Sequence, residues 1–182
     1  MKHRGTVWLE TERLILRRFT PADAETAYRN YTSDPSVTEY LTWPVHDSAE
    51  TTRALLKQWT AQYKDRSFYQ WAIELRSLRE VIGGISVVDW QTDAEAPELG
   101  WCIGSKWWGR GLMPEAASAV MKYLFENVGV LRVTARCDAE NPKIGPGHGK
   151  NRNDVRGHSP RSRPQQPRHS RRGLLRHPEE RV

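Results

Sequence analysis

One stretch, Glu98 to Glu115 (ELGWCIGSKWWGRGLMPE), constrains the fold of this chain more than any other. Its first residues alternate between apolar and polar or small, which predicts a strand. Gly109 and Gly111 then flank a basic residue in a predicted turn, and Pro114 stands where the first turn of a helix tolerates proline. Glycines before a helix let the backbone approach an anion, and the helix N-terminus offers unpaired N–H groups. The stretch therefore favours a phosphate-binding turn, although an ordinary strand-to-helix turn has the same pattern.

The chain before this stretch begins with a strand and continues mostly with helical patterns. In chain order these are a strand at 13–19, a helix from Thr20, a short helix after Asp34 that ends near Leu41, and a longer helix capped by Asp47 or Ser48. The longer helix carries apolar residues at helical spacing, namely Leu55, Leu56, Trp59 and Tyr63. We expect these side chains in the core.

Two further strands are predicted to form an antiparallel pair. From Phe68 to Leu75 apolar residues alternate with polar or small ones, the pattern of a strand buried on one face. A polar turn leads to a second apolar run, Val81 to Val88. Residues 91–97 are predicted to form an acidic loop that contains a proline.

A strand–helix–strand unit ends the patterned part of the chain. The helix after Gly111 has one apolar face, formed by Ala116, Ala117, Val120, Met121, Leu124 and Phe125, and Gly129 is expected to end it. Alternation from Leu131 to Cys137 predicts another strand, parallel to the one before the helix because the helix crosses over. Antiparallel strands followed by such a unit predict an α/β fold with a mixed sheet.

The net charge of +6 is unevenly distributed. Residues 1–142 hold 17 Lys and Arg against 19 Asp and Glu, whereas residues 143–182 hold 11 against 3. The patterned part is therefore mildly acidic, and its charge does not indicate nucleic-acid binding. All of the excess basicity belongs to the last forty residues.

Composition also suggests a cellular location. The chain has no apolar run of about 18 residues, and its first ten residues lack the apolar region of a secretory signal, so we expect a cytoplasmic protein. Cys102 and Cys137 lie in strand-like apolar surroundings and are expected to be reduced, although a disulfide between them is possible. No His or Cys spacing resembles a metal site, and we expect no metal.

The turn in the central stretch resembles a known motif. Residues 106–111 (KWWGRG) resemble the acyl-CoA-binding motif of the GNAT superfamily of N-acetyltransferases, [RQ]-x-x-G-x-[GA], with Lys106 in the first position. The aromatic pair and the following Met-Pro-Glu-Ala resemble the Rim-type branch, which acetylates N-termini of ribosomal proteins. The resemblance spans roughly Thr11 to Pro142. It implies a GNAT-like mixed, largely antiparallel central sheet flanked by helices, with acetyl-CoA in a splay between the central strands.

The resemblance also implies a set of site residues. The cofactor-binding set is Cys102, Ile103, Lys106, Trp107, Trp108, Gly109, Arg110, Gly111, Met113 and Asn141. Main-chain groups of Cys102 and Ile103 would pair with the pantetheine arm, and N–H groups of residues 108–111 would hold the pyrophosphate. Glu98 is the candidate general base, with a surface carboxylate as the alternative, and Asn141 would orient the cofactor or a water. Lys106 and Arg110 would add charge at the site or lie solvated at the surface.

The family pattern stops after Pro142. The family continues with Asn-x-x-Ser, and Ile144 stands where that Ser is expected, which brings turnover by this chain into question. Residues 143–182 contain no aromatic residue, five prolines and nine arginines, a composition too polar to form a core. Codons for Ile144 onward, read one base out of register, can spell SARVMEKIGMTYEG, which supplies the Ser and a helical pattern. A shifted reading frame and a functional basic tail that binds RNA or ribosomes are the two interpretations, and we favour the first.

The sequence thus predicts an acetyl-CoA-dependent N-acetyltransferase domain at 1–142, incomplete at its C-terminal end, and an aberrant basic tail at 143–182. The predicted acceptor is a primary amine, above all a protein N-terminus such as that of a ribosomal protein, which attacks the thioester directly. Alternatives are a non-catalytic acyl-CoA-binding or ribosome-associated module and an enzyme acting on polyamines or antibiotic-like amines. No membrane or specific nucleic-acid partner is expected, and the protein would be a monomer or homodimer.

Overall fold

The computed structural model describes residues 1–39, 41–91, 96–135 and 153–155. Gln91 and residues 153–155 are described as backbone only. In chain order the elements are β1 (Leu9–Glu10), β2 (Leu14–Arg17), α1 (Ala24–Ala27), α2 (Pro35–Thr38), α3 (Ala49–Gln62), β3 (Gln70–Leu75), β4 (Glu80–Gln91), β5 (Ala96–Ile103), α4 (Leu112–Tyr123), β6 (Val133–Ala135) and β7 (Asn153–Val155). Single 3-10 turns precede α1 and α4, and π-helical turns extend both helices. In these ranges no helix is both long and apolar enough to cross a membrane.

The seven strands form one mixed sheet in the order β1 to β7. Neighbouring strands from β1 to β5 are antiparallel, and β6 and β7 are also antiparallel. Only the β5–β6 pair is parallel among the described strands, because α4 crosses over between them. The predicted antiparallel pair, the strand–helix–strand unit and the mixed sheet are confirmed.

Two clusters of buried side chains lie on opposite faces of the sheet. The main core joins β2 to β6 with α4, and the second core joins the sheet with α1 and α3. Trp71 and Ile73 of β3 belong to the main core, while Ala72 between them is fully buried in the second. The prediction that this strand is buried on one face was therefore wrong. Helices cover its other face too, where a small side chain such as Ala72 is sufficient.

Local capping chemistry explains where the helices begin. The Asp23 carboxylate accepts from the Thr20 N–H at 2.7 Å, and this confirms that the first helical segment begins at Thr20. Between the two caps predicted for α3, the structure selects Ser48, whose hydroxyl accepts from the N–H of Thr51 at 3.1 Å. Leu56 is buried in the second core, and the other three apolar residues predicted with it are partly buried.

Some strand boundaries differ from the prediction. β5 already begins at Ala96, so the loop predicted at 91–97 is shorter than expected. Ala96 and Pro97 are buried at the start of this strand, a position that tolerates proline. Conversely, β6 begins at Val133, and Leu131 is 56 % exposed rather than part of a strand. A short strand, β7, pairs with β6 in the segment where no element was predicted. Ladder hydrogen bonds use main-chain groups, so β7 forms without an apolar pattern.

Candidate functional site

The segment between β5 and α4 is held in place by its aromatic side chains. After Ile103 the chain passes through a single 3-10 turn, Ser105–Trp107, before α4 begins. Trp107 is buried in the main core. The indole N–H of Trp108 donates to the carbonyl of Ile103 at 2.8 Å. The two tryptophans therefore anchor the segment rather than face a ligand with their full rings.

Gly104 is required in this segment, although the sequence analysis did not single it out. A Cβ atom at this position would lie 2.1 Å from the carbonyl oxygen of Asn30 and 2.7 Å from the Trp107 ring. The backbone of the segment thus packs directly on the π-helical turn that follows α1. No local pattern marks this glycine, because the clash arises with a residue more than 70 positions away.

The backbone at Gly109 and Gly111 forms the predicted glycine turn before α4, and anion binding there stays a prediction. Both glycines have a φ of +73°, and Gly111 is the N-cap of α4. Within the described residues, the N–H groups of residues 109–113 donate to no other protein group. A Cβ atom at Gly109 would meet no atom within 4 Å, so the turn is open on that side. Open N–H groups at the positive end of a helix fit a diphosphate.

Two basic side chains lie on this turn. Lys106 and Arg110 are exposed, and neither forms an ion pair with any residue that the structure describes. Exposed charges fit both predicted interpretations, an anion site and a solvated surface, and Lys106 also helps to lower the pKa of the Glu80 carboxyl. Met113, also predicted at the site, packs partly buried against the main core.

Residues distant in sequence fasten the turn to the start of the sheet. Arg13 contacts the Glu115 carboxylate through Nε at 2.7 Å and Nη2 at 2.6 Å. Its Nη1 also donates to the carbonyl of Arg110 at 2.9 Å. The hydroxyl of Thr11 donates to Glu115 as well. Arg13 and Glu115 were not predicted at the site, because their contact joins residues that lie 102 positions apart.

The register between β4 and β5 decides which main-chain groups face away from β4. The N–H of Gly104 donates to the carbonyl of Ile82 at 2.9 Å, and Ile103 stands opposite Gly83. In an antiparallel ladder this makes Ile103 a non-hydrogen-bonded residue, whose N–H and C=O point away from β4. By alternation Trp101 does the same, and the main-chain groups of Cys102 point at β4 instead.

The parallel partner of β5 covers only part of that edge in the described residues. The pairs are Glu98 with Thr134 and Leu99 with Ala135. The next residue, Arg136, lies outside the described residues, so the predicted splay stays a prediction. The main-chain groups of Trp101 and Ile103 lie on this edge beyond the last described pair.

Glu98 lies inside the sheet rather than at its surface. It is 6 % exposed and stands between Asp89 of β4 and Thr134 of β6. Alternation along β5 puts Glu98 on the same face as Cys102, which packs against the second core. The alternative of a surface carboxylate is therefore wrong, whereas the general-base role stays a prediction.

Comparison with known proteins identifies the domain. The acetyltransferase (GNAT) domain family matches residues 13–145. The chain belongs to the GNAT acetyltransferase family. It is 32 % identical over 133 residues to the Uncharacterized N-acetyltransferase YoaA of Bacillus subtilis (strain 168), covering 73 % of this chain and 75 % of YoaA.

Solved structures agree with this assignment. A GNAT-family acetyltransferase from Bacillus anthracis has a TM-score of 0.62 at 28 % identity, covering 74 % of this chain and 76 % of that one. Ribosomal-protein-S5-alanine acetyltransferase from Vibrio fischeri shares the fold, with a TM-score of 0.64 at 19 % identity and coverage of 75 % and 77 %. GNAT acetyltransferases use acetyl-CoA, which is the co-substrate of this N-acetyltransferase domain, and the open N–H groups of residues 109–113 fit its diphosphate.

The predicted role of Asn141 and the expectation of no metal are the remaining points at this site. Asn141 lies outside the described residues, so its role stays a prediction. In the ranges that the structure describes, no three His, Cys, Asp or Glu side chains group as a metal site would need.

The cysteine of β5 is a poor nucleophile. Cys102 is a free thiol, and burial raises its pKa to about 12. Because the thiolate is the reactive form, Cys102 is protonated at neutral pH and cannot readily accept an acetyl group. This favours direct transfer from the thioester to the acceptor amine over an acetyl-cysteine route.

Alkylation tests this expectation. At pH 8 a thiol with a pKa of about 12 has about 10³-fold less thiolate than an unperturbed cysteine, and the difference disappears only as the pH approaches 12. We expect iodoacetamide to modify Cys102 about 10³-fold more slowly in the native protein than in guanidinium. Peptide mass spectrometry separates Cys102 from Cys137. Equal rates in the two conditions would mean that the thiol is not buried.

Proposed function

We propose that this GNAT domain transfers the acetyl group of acetyl-CoA to the N-terminal amine of a protein, such as a ribosomal protein, by direct attack on the thioester. The observation that carries the catalytic part is the burial of Glu98 in a central strand whose other end leads into the anion-binding turn. Five residues separate Glu98 from Ile103, or about 17 Å of strand. An extended pantetheine arm that lies along this strand would bring the thioester towards Glu98.

Different parts of the chain would bind different parts of acetyl-CoA. The N–H groups of residues 109–113 hold the diphosphate, and the main-chain groups of Trp101 and the N–H of Ile103 pair with the pantetheine arm. The predicted Trp108 N–H and Ile103 carbonyl are left out, because the first donates to the Ser105 carbonyl and the second accepts from the Trp108 indole. We place Trp101 here instead of Cys102, because the main-chain groups of Cys102 point at β4. Acetyl-CoA supplies the activated acyl group.

Glu98 accounts for the proton balance on the acceptor side. It accepts a proton from the acceptor ammonium, directly or through a water. The amine nitrogen then bonds to the carbonyl carbon and the carbon–sulfur bond breaks. The nitrogen loses a second proton as the amide forms, and the departing thiolate takes up this proton as coenzyme A leaves. The neutral Cys102 thiol takes no part in the transfer.

The choice of a protein N-terminus rests on two kinds of support. The aromatic pair Trp107-Trp108 and the Met-Pro-Glu-Ala sequence resemble the Rim-type branch. A protein of the same fold is named a ribosomal-protein-S5-alanine acetyltransferase. Polyamines and antibiotic-like amines remain the second candidate, since one fold serves many acceptors.

Acceptor competition tests the proposal. Purified protein and acetyl-CoA are incubated with peptides carrying free N-termini, the same peptides with formylated N-termini, spermidine or an aminoglycoside. We expect coenzyme A release with the free peptides alone. Turnover with spermidine or the aminoglycoside instead would overturn the choice of acceptor, and acetyl-CoA binding without any turnover would favour the non-catalytic module.

We also propose, from composition, that residues 143–182 derive from a shifted reading frame. Leu131, before β6, and Trp101, in the second half of β5, are large apolar side chains that are 56 % and 38 % exposed, as expected if the apolar elements that would cover them are replaced. Burying two such side chains contributes about 3–6 kcal/mol.

Restoring the alternative frame from codon 144 should therefore raise the unfolding temperature by about 10 °C, as measured by differential scanning calorimetry. A restored version that unfolds at the same or a lower temperature would contradict the proposal. Sequencing the coding DNA around codon 144 checks it independently.

A further inference from the structure

Arg13 holds the peptide unit between Arg110 and Gly111 in one orientation. Its Nη1 donates to the carbonyl of Arg110 at 2.9 Å, and its Nη2 lies 3.6 Å from where a Cβ of Gly111 would stand. The guanidinium is itself held in place, because its Nε and Nη2 both contact Oε2 of Glu115. One side chain from the start of β2 therefore reaches the N-cap of α4.

This contact determines where the Gly111 N–H points. All described peptide bonds are trans, and the N–H and C=O of a trans peptide point in opposite directions. With the Arg110 carbonyl directed at Arg13, the N–H of Gly111 is directed away from Arg13, and among the described residues it donates to no protein group. Turning this peptide over would present a carbonyl oxygen to an anion instead of an N–H.

Nothing in the backbone of the turn itself prevents that rotation. Peptide rotation changes ψ of Arg110 and φ of Gly111, and glycine adopts positive and negative φ about equally well. Gly109, on the other side of Arg110, has the same freedom. A tertiary contact is therefore needed to select the orientation that binds anions.

We propose that Arg13 is a positioning residue for acyl-CoA binding, which keeps the Gly111 N–H directed at the diphosphate by holding the Arg110 carbonyl. The proposal rests on the placement of the diphosphate at this turn under the proposed function. Arg13 also neutralises the negative charge of the Glu115 carboxylate in the first turn of α4. Burial alone would raise the pKa of Glu115, but hydrogen bonds from Thr11 and Arg13 hold it below its ordinary value.

Variants of Arg13 separate positioning from charge. Arg13→Lys keeps the charge near Glu115 but cannot contact both the carboxylate and the Arg110 carbonyl in the same way. Arg13→Ala removes both side-chain contacts and keeps the hydrogen bond from the main-chain N–H of residue 13 to Glu115. Arg53→Ala is the matched control, since Arg53 also joins two groups through its guanidinium, the carboxylates of Glu25 and Glu50, but lies on α3.

Calorimetric titration of the full chain with coenzyme A gives the first measurement. We expect about tenfold weaker binding in both Arg13 variants and unchanged binding in Arg53→Ala, in line with the loss of one charge-assisted hydrogen bond. Thermal unfolding shows whether each variant folds. If Arg13→Ala does not fold, the affinity of Arg13→Lys for coenzyme A alone tests the proposal. Wild-type affinity in folded Arg13→Lys would overturn the proposal, because charge without the carbonyl contact would then be sufficient.

Amide NMR gives a readout that a purely structural role would not change. In the wild-type protein the Gly111 amide proton should shift downfield on addition of coenzyme A, and in Arg13→Lys this shift should be lost while other amides of α4 still respond. No shift of Gly111 in the wild-type protein would mean that the diphosphate binds elsewhere, which contradicts the proposed function. A wild-type shift that persists in Arg13→Lys would contradict only the role of Arg13.

Discussion

Replacing Gly111 by Asp should weaken acetyl-CoA binding by at least about 10²-fold. The substitution puts a carboxylate on the turn that faces the diphosphate, and like charges in contact cost several kcal/mol. It also forces a residue with a side chain to a φ of +73°, which costs about 1–2 kcal/mol of stability. Isothermal titration calorimetry with acetyl-CoA measures the first effect and thermal unfolding the second.

Gly129 offers a matched control for the backbone strain. It has a φ of +81° and ends the π-helical turn at the other end of α4, far along the helix from the anion-binding turn. Gly129→Asp should destabilise the fold by a similar amount and leave acetyl-CoA affinity unchanged. Unchanged affinity in a folded Gly111→Asp variant would show that the diphosphate does not bind this turn.

Replacing Glu98 by Gln should lower turnover by about 10²–10⁴-fold, the usual contribution of a general base. Gln has nearly the same shape and can donate and accept hydrogen bonds, so the sheet around β5 should remain folded. Because Glu98 would act on the acceptor proton, the affinity for acetyl-CoA should stay within about twofold of the original value. The loss should therefore be seen in kcat and not in acetyl-CoA binding.

The control for this variant is Asp89→Asn, which removes an exposed carboxylate directly opposite Glu98 on β4. Asp89→Asn tests whether turnover depends on any negative charge at this place in the sheet or on the Glu98 carboxylate itself. Both variants are measured in this chain and in the version with the alternative frame from codon 144, which supplies the expected Ser. Equal kcat values for wild type and Glu98→Gln at every pH would remove Glu98 from the mechanism.

Local chemistry made most of the fold predictable. The N-cap at Ser48, the glycine that ends the π-helical turn at Gly129 and the glycine turn before α4 depend on residues within a few positions of each other. The parallel β5–β6 pair followed from the same logic, since a helix of this length between two strands requires it. Burial on both faces of β3 was not predictable, because it depends on which helices cover the sheet.

Motif and periodicity correctly predicted the family, the order of most elements and the glycine turn before α4, because both are properties of neighbouring residues. Tertiary packing sets three further features: Glu98 is buried, the main-chain groups of Trp101 rather than Cys102 point away from β4, and Arg13 contacts the carbonyl of Arg110. A shift of one residue in the β4–β5 register would exchange Trp101 and Cys102 without changing any local pattern. The contact of Arg13 with Arg110 joins residues 97 positions apart. Such contacts depend on how the strands and helices pack together, and no short stretch of sequence encodes them.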